Sequence, residues 1–280
     1  MRPKEVTWTK LRRHWQEINT WPCYRGRWLG QLGYSFAKLI YRLGQVKSPT
    51  QLLELAGFHP GEALEGFERW ERLLRVAAER IERAGGNQGA ISYEDGLILY
   101  GLVRGLKPRC VVETGTGPGL ATSFLGAALV ENRAGELYTI DLPVESGQQI
   151  RLEDGGALDW PARGLGWAIP APLRKALGTR LKMLRGDVRE VLPKLLGTLP
   201  ALDLFFHDDL HTPAHMLWEY ELVWPYLSPG GILISDDANF AWLRFCWRVG
   251  LRRYASPNWR RLTLARKPGD VPHVIRRRVA

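Results

Sequence analysis

Two short stretches crowd titratable side chains onto the ends of apolar runs. In LDLFFHDDLHTPAH (residues 202–215) the run closes on Asp208 and Asp209, with His211 three residues beyond Asp208. In GGILISDDANF (residues 230–240) a second run closes on Asp236 and Asp237. If the two runs are neighbouring strands, Asp208, Asp236 and Asp237 converge, and three carboxylates held together raise one another's pKa values unless they share a cation. Hard oxygen donors with room for water and substrate suit Mg2+ better than zinc. His215 follows His211 by four residues, but HTPAH lacks the glutamate of HExxH and is not read as a zinc motif.

A third stretch, VVETGTGPGLATS (residues 111–123), sets three glycines within five positions after a strand-like run. Glycine there permits left-handed dihedrals and close approach to the main chain, at an entropic cost. The dinucleotide fingerprint GxGxxG/A fits poorly, because its third small position falls on Leu120. What fits is acid, x, Gly, x, Gly, x, Gly: Glu113, Gly115, Gly117 and Gly119. Two more acids close strand-like runs, Asp141 in LYTIDLP and Asp187 in LRGDVREVLP.

These residues need a scaffold that gathers strand ends. From Ile91 the chain alternates strand and helix: helix YEDGLILYGLVRGL capped by Ser92, strand CVVET, a helix from Gly119 to Val130, and strand ELYTID. After an irregular insert from Leu142 to Thr179 come strand LKML, helix REVLPKLL, strand LDLFFH, helix PAHMLWEYELVWPYL, strand GGILISDD and helix FAWLRFCWRVG. A terminal strand pair, WRRLTLAR and VPHVIRRR, turns around Lys267 to Asp270. Such alternation predicts an α/β fold with a parallel sheet and helices on both faces. In that architecture ligands sit beyond the carboxyl ends of the strands.

Residues 1–88 read as a helical N-terminal segment, and 89–280 as the α/β domain, with residues 142–179 as a lid-like insert. LGYSFAKLIYRLG and GEALEGFERWERLLRVAAERIERAGG carry the helical spacing. In the insert, GLGWAIPAPLR, with Trp167 and Ile169, is expected to fold over the acceptor. Trp8, Trp15, Trp21 and Trp28 stand among Lys and Arg. They are read as capping the core or a dimer contact, in preference to a peripheral membrane contact or an RNA surface.

The 280 residues are 45% hydrophobic, enough for a sizeable folded core. No secretory signal or membrane span is read, so a cytoplasmic protein is expected. Cys23, Cys110 and Cys246 are too scattered for a disulfide framework or a CxxC metal site. The net charge of +10 speaks to association and not to fold.

The glycine pattern resembles the first motif of the class I methyltransferases, which bind S-adenosylmethionine (SAM), and the resemblance runs from about Ser92 to Arg266. It implies a Rossmann-like sheet, mostly parallel, of seven strands with one antiparallel. It also implies that the loop Gly115, Thr116, Gly117 and Gly119 holds SAM, with Glu113 near the amino end of its methionine moiety. Asp141 would then take the ribose hydroxyls, which a carboxylate can accept in pairs. Asp187 would lie by the adenine, although it also stands where a cap for the following helix belongs. Amino-methylating enzymes of nucleic acids often carry (N/D)PP(Y/F) after the fourth strand, and this chain has FFHDDLHTP, which disfavours a nucleic-acid substrate.

The acid and histidine pattern resembles the metal-dependent O-methyltransferases of the macrocin and mycinamicin sugar type. These place one Asp after the fourth strand and an acid pair after the fifth, as Asp208, Asp236 and Asp237 stand here. Their fourth-strand motif is DxxH, matched by Asp208 and His211, and the resemblance implies His211 as general base, with Asp208 serving metal, cofactor and catalysis. The catechol type uses a lysine that this motif lacks.

The expectation is therefore a SAM-dependent O-methyltransferase, Mg2+-assisted, acting on a hydroxyl of a small molecule or sugar-containing natural product. A homo-oligomer is a further implication of the resemblance. Left open beside it are a methyltransferase of RNA or protein and a non-catalytic SAM-binding scaffold.

Overall fold

The computed structural model describes residues 46–85, 89–143, 150–151, 157–158, 164–251, 258–259 and 262–269. The four N-terminal tryptophans, LGYSFAKLIYRLG and VPHVIRRR lie outside the described residues.

Three helices open the described chain: α1 (Pro49–Leu55), α2 (Pro60–Ala63) and α3 (Glu68–Ala84). The sequence reads the last two as one helix. They separate because Gly66 takes a left-handed φ of 82° between them. Then follow α4 (Tyr93–Leu106), β1 (Cys110–Thr114), α5 (Leu120–Asn132) and β2 (Glu136–Asp141). Ser92 caps α4 as expected, its Oγ accepting from the Asp95 N–H at 3.1 Å.

Beyond the insert run α6 (Ala171–Leu177), β3 (Leu181–Arg185), α7 (Val188–Leu196), β4 (Leu202–His207), α8 (Pro213–Val223), β5 (Leu227–Ser235), α9 (Phe240–Arg248), β6 (Asn258–Trp259) and β7 (Leu262–Arg266). The seven-stranded sheet has the order β3-β2-β1-β4-β5-β7-β6. Strands β3, β2, β1, β4 and β5 are parallel, and β7 runs antiparallel against β5. The fold is the expected Rossmann-like α/β class.

Three features differ from the sequence reading. The helix expected through Leu227 stops at Val223: Trp224 still has helical dihedrals at the cap, but Pro225 after it lacks the N–H that would continue the ladder. The insert is not irregular throughout, since α6 lies near its end. With seven residues, α6 shows only one buried repeat, Leu173 and Leu177, too little period to read from sequence. A strand pairing that the sequence reading did not include joins β6 to β7, with Trp259 paired to Leu262, while VPHVIRRR, the expected partner of WRRLTLAR, lies outside the described residues.

Alternation along the strands builds a core on each face. Leu204 and Phe206 of β4 point into one with Val111, Ile232 and Ile234, where α1, α3, α4 and α5 pack. Phe205 points into the other with Val112, Leu233, Tyr220, Trp242 and Phe245. The helices before α4 enter the first core through Leu52, Leu53, Leu74, Ala77 and Ile81. They are also tied to α5, where the Trp70 Nε1–H donates to Glu131 Oε1 at 2.7 Å. No helix among the described residues is long and apolar enough to cross a membrane.

Candidate active site

The carboxyl ends of β1, β2, β4 and β5 bring most of the sequence-singled residues to one edge of the sheet. At the end of β1, Glu113 is wholly buried, and its Oε2 accepts from the Thr122 hydroxyl at 2.6 Å. Its Oε1 has no hydrogen-bond partner. Burial pushes the Glu113 carboxyl up to about 8, although hydrogen bonds from Thr122 and Thr139 oppose the rise.

The glycines answer to different neighbours. Gly115 has a φ of 89°, and a Cβ there would stand 2.0 Å from the Asp208 carbonyl oxygen, so the end of β4 passes directly over it. Gly119, at φ 92°, leaves room for Ile169 from the insert. Gly117 donates its N–H to Asp141 Oδ2 at 2.8 Å, which ties the loop to the end of β2. Thr116 and Thr139 share a hydroxyl hydrogen bond of 2.6 Å beneath that loop. The second Asp141 oxygen accepts the Leu142 N–H at 2.7 Å. Burial pushes Asp141 up to about 7 against these bonds. Each of its oxygens keeps a lone pair for a further donor.

Asp187 caps α7, its carboxylate accepting from the Arg189 N–H at 2.8 Å. That is the plainer of the two roles its position allowed. The late part of the insert braces the glycine loop: Gly166 N–H donates to Gly117 O and Ala168 N–H to Pro118 O, both at 2.9 Å. Arg174 Nη2 in turn holds the Gly166 carbonyl at 3.0 Å. Ala168 and Ile169 are buried where this stretch packs against the loop.

The acid and histidine centre arises where the ladders run on past the strands. Asp208 N–H donates to Thr114 O and Asp236 N–H to His207 O, each at 2.9 Å, so both aspartates sit one register beyond the sheet. Ligand atoms of Asp208, His211 and Asp236 lie within 4.8 Å of one another. His211 Nε2 is 3.8 Å from Asp208 Oδ1, and His211 Nδ1 is 3.9 Å from Asp237 Oδ2. Asp237 therefore stands on the other edge of the imidazole from Asp208. The third member of the tight cluster is His211, where the sequence reading had Asp237.

Backbone strain accompanies this placement, because Asp237 holds a left-handed φ of 45°. Asn239 Nδ2 donates to the His211 carbonyl at 3.2 Å and fixes the turn. Burial, then the charges of Asp236, Asp237, Glu113 and Asp209, raises Asp208 well above the ordinary carboxylate range. A cation placed among these acids would favour the ionised carboxylate and lower that proton affinity.

Behind this centre is a second cluster that the sequence reading missed: His207, Asp209, His215 and Glu219. His207 Nδ1 is 2.5 Å from Glu219 Oε2, and His215 Nε2 is 3.0 Å from Asp209 Oδ2. The signal was present as His207 and Asp209 flanking Asp208, with His215 and Glu219 one helical turn apart. Searching HTPAH for a glutamate between its histidines overlooked the glutamate four residues beyond.

Residues 112–238 match the family model of a methyltransferase domain. No curated protein matches the chain. Among solved structures, a candidate O-methyltransferase from Klebsiella pneumoniae is 19% identical, with a TM-score of 0.48, over 70% of this chain and 90% of that one. An O-methyltransferase from Bacillus cereus, solved with SAH (S-adenosylhomocysteine), is 17% identical over 59% of this chain and 66% of its own, with a TM-score of 0.42. An O-methyltransferase of tomaymycin synthesis from Streptomyces achromogenes, solved with SAM, is 20% identical over 59% and 65%, with a TM-score of 0.41. The chain thus spans just under two thirds of the length of the last two.

Proposed function

We propose that this chain, whose residues 112–238 match the family model of a methyltransferase domain, transfers a methyl group from SAM to a hydroxyl of a small molecule or sugar-containing natural product, assisted by Mg2+. The observation that carries this reading is the convergence of Asp208, His211 and Asp236 beside the glycine loop.

The residues present fit the two absent groups. For SAM, the buried Glu113 Oε1 without a partner suits an ammonium, and Asp141 offers spare acceptor capacity to a pair of hydroxyls. For Mg2+, Asp208 and Asp236 supply hard oxygens, with Asp237 close by. SAM when bound supplies an electrophilic methyl group, and Mg2+ when bound lowers the proton affinity of a hydroxyl beside it.

The chain's own residues do the rest. His211 takes the proton that the hydroxyl gives up, because an imidazole titrates near neutrality. Asp208 and Asp237, on opposite edges of its ring, orient it and stabilise its charged form. The brace from Gly166 and Ala168 holds the loop still, and fixed geometry supplies much of the acceleration in a transfer that needs oxygen, methyl and sulfur in line.

The test is an assay of the full chain with SAM and a panel of polyhydroxylated acceptors, in chelator and then in Mg2+, reading the methylated product by mass. Product that forms only with Mg2+ is expected. Equal turnover in chelator would remove the metal from the reading, and methylation confined to RNA or protein would remove the acceptor class.

A further inference from the structure

We propose that the outer face of α9 is a docking surface for an anionic lipid membrane, which Phe240 and Trp247 enter and Arg244 holds. The binding goes beyond methyl transfer and does not depend on it.

Helical spacing divides the nine residues FAWLRFCWR into two faces, and both carry large apolar side chains. Ala241, Trp242, Phe245 and Cys246 are buried and pack into the second core. Phe240, Leu243, Arg244 and Trp247, at i, i+3, i+4 and i+7, share the opposite face. There Trp247 is 73% exposed and Phe240 44%, and Leu243 is half-buried. No other large apolar side chain among the described residues is as exposed as Trp247. An ordinary surface helix sets polar residues opposite its buried stripe, whereas a helix that is apolar on both sides is covered on both. Scattered exposed apolar residues call for no partner, but a cluster on one short helix does.

Charge identifies the cover. The helix α9 has two arginines and no acid. Arg248 pairs with Glu221 of α8, and Arg244 is exposed one helical turn from each aromatic. The net charge of +10 draws the chain to an anionic partner and opposes pairing with a second copy of itself. A nucleic acid fits the face poorly. Phe240 and Trp247 stand about 10 Å apart along the helix axis, well beyond the spacing of successive nucleotides, and a phosphate backbone asks for several cations. A lipid surface asks for what the face has: Trp, Phe and Leu to enter the headgroup boundary, and an arginine among the phosphates.

The same helix borders the acid and histidine centre. Asn239 caps α9, and its Nδ2 donates to the His211 carbonyl at 3.2 Å. Phe240 follows Asp237 by three residues. Docking through α9 would therefore hold that centre near the lipid.

The experiment is sedimentation of the full chain with sucrose-loaded vesicles of phosphatidylcholine, alone or mixed with phosphatidylglycerol, reading the bound fraction against lipid concentration. Binding to the mixed vesicles is expected, well above that to phosphatidylcholine alone. Phe240→Ser/Trp247→Ser should weaken it about tenfold or more. Arg244→Gln should weaken it about fivefold, the effect of one charge at the lipid surface. These side chains are exposed, so the variants should unfold thermally with the wild type. Leu55→Ser, which changes an exposed apolar residue of α1, should bind as the wild type does. A chain that binds neither kind of vesicle overturns the proposal. So does binding that the double variant keeps in full, which would place the contact elsewhere in the chain. A dimer in gel filtration that the double variant loses, with no vesicle binding, would give the face to a second copy and overturn it equally. None of these readouts involves SAM, so their failure would leave the methyl-transfer reading standing.

Discussion

His211 Nε2 stands 3.8 Å from Asp208 Oδ1, across the turn that joins β4 to α8. At that separation the pair is longer than a hydrogen bond. A general base contributes about 10²- to 10⁴-fold, so His211→Ala is expected to lower kcat at least about 100-fold. SAH affinity should stay within about twofold if the ring acts on the acceptor's proton and not on the cofactor. An unchanged kcat would show that another group takes the proton.

Asp236 is held beside β4 by its N–H to the His207 carbonyl, and its carboxylate completes the cluster with Asp208. Asp236→Asn removes one of the few charges that would attract a cation. The Mg2+ concentration for half-maximal turnover should rise about tenfold or more, with SAH affinity little changed. A titration of activity against Mg2+ reads this directly.

Gly115 meets a main-chain oxygen, which no rotamer change can move. Gly115→Ala adds a Cβ at 2.0 Å from the Asp208 carbonyl, in a left-handed backbone. A cost of about 2 kcal/mol or more is expected, lowering Tm by about 5 °C or more. Gly178→Ala is the control, because Gly178 is also left-handed but has nothing within 4 Å of the added atom. It should cost only the dihedral strain. Equal shifts for the two variants would mean that β4 moves away easily.

Much of the architecture was legible because hydrophobic runs of strand length alternate with helical spacing from Ile91 onward. Ser92 and Pro225 show both sides of that legibility. The cap was read correctly, while the helix was carried through a proline that ends it. The glycine loop was legible as a loop, but its reason was not: Gly115 and Gly119 yield to Asp208 and Ile169, contacts between segments far apart in sequence. The convergence of Asp208 with Asp236 followed from strand adjacency. The cluster of His207, Asp209, His215 and Glu219 depends on which way β4 side chains turn and on where α8 docks, and neither is local information.

Stability without ligands should fall as pH rises. Burial holds Glu113 at about 8 and Asp141 at about 7, whereas an unfolded chain loses both protons near pH 4. Between pH 4 and these values the folded state binds more protons than the unfolded state, so unfolding free energy decreases with pH. Urea midpoints at pH 5, 6, 7 and 8 should decline in that order. Glu113→Gln should flatten the slope, and a midpoint that rises across this window would contradict the burial of these acids in the free protein.

The most direct measurement is calorimetric titration of SAH into the folded full chain, repeated with Asp141→Ala. Micromolar binding to one site, weakened about tenfold or more when Asp141 loses its carboxylate, is expected from a loop that Gly117 ties to Asp141 at 2.8 Å. A folded chain that does not bind SAH would contradict the assignment of this site to SAM chemistry, and with it the methyl transfer.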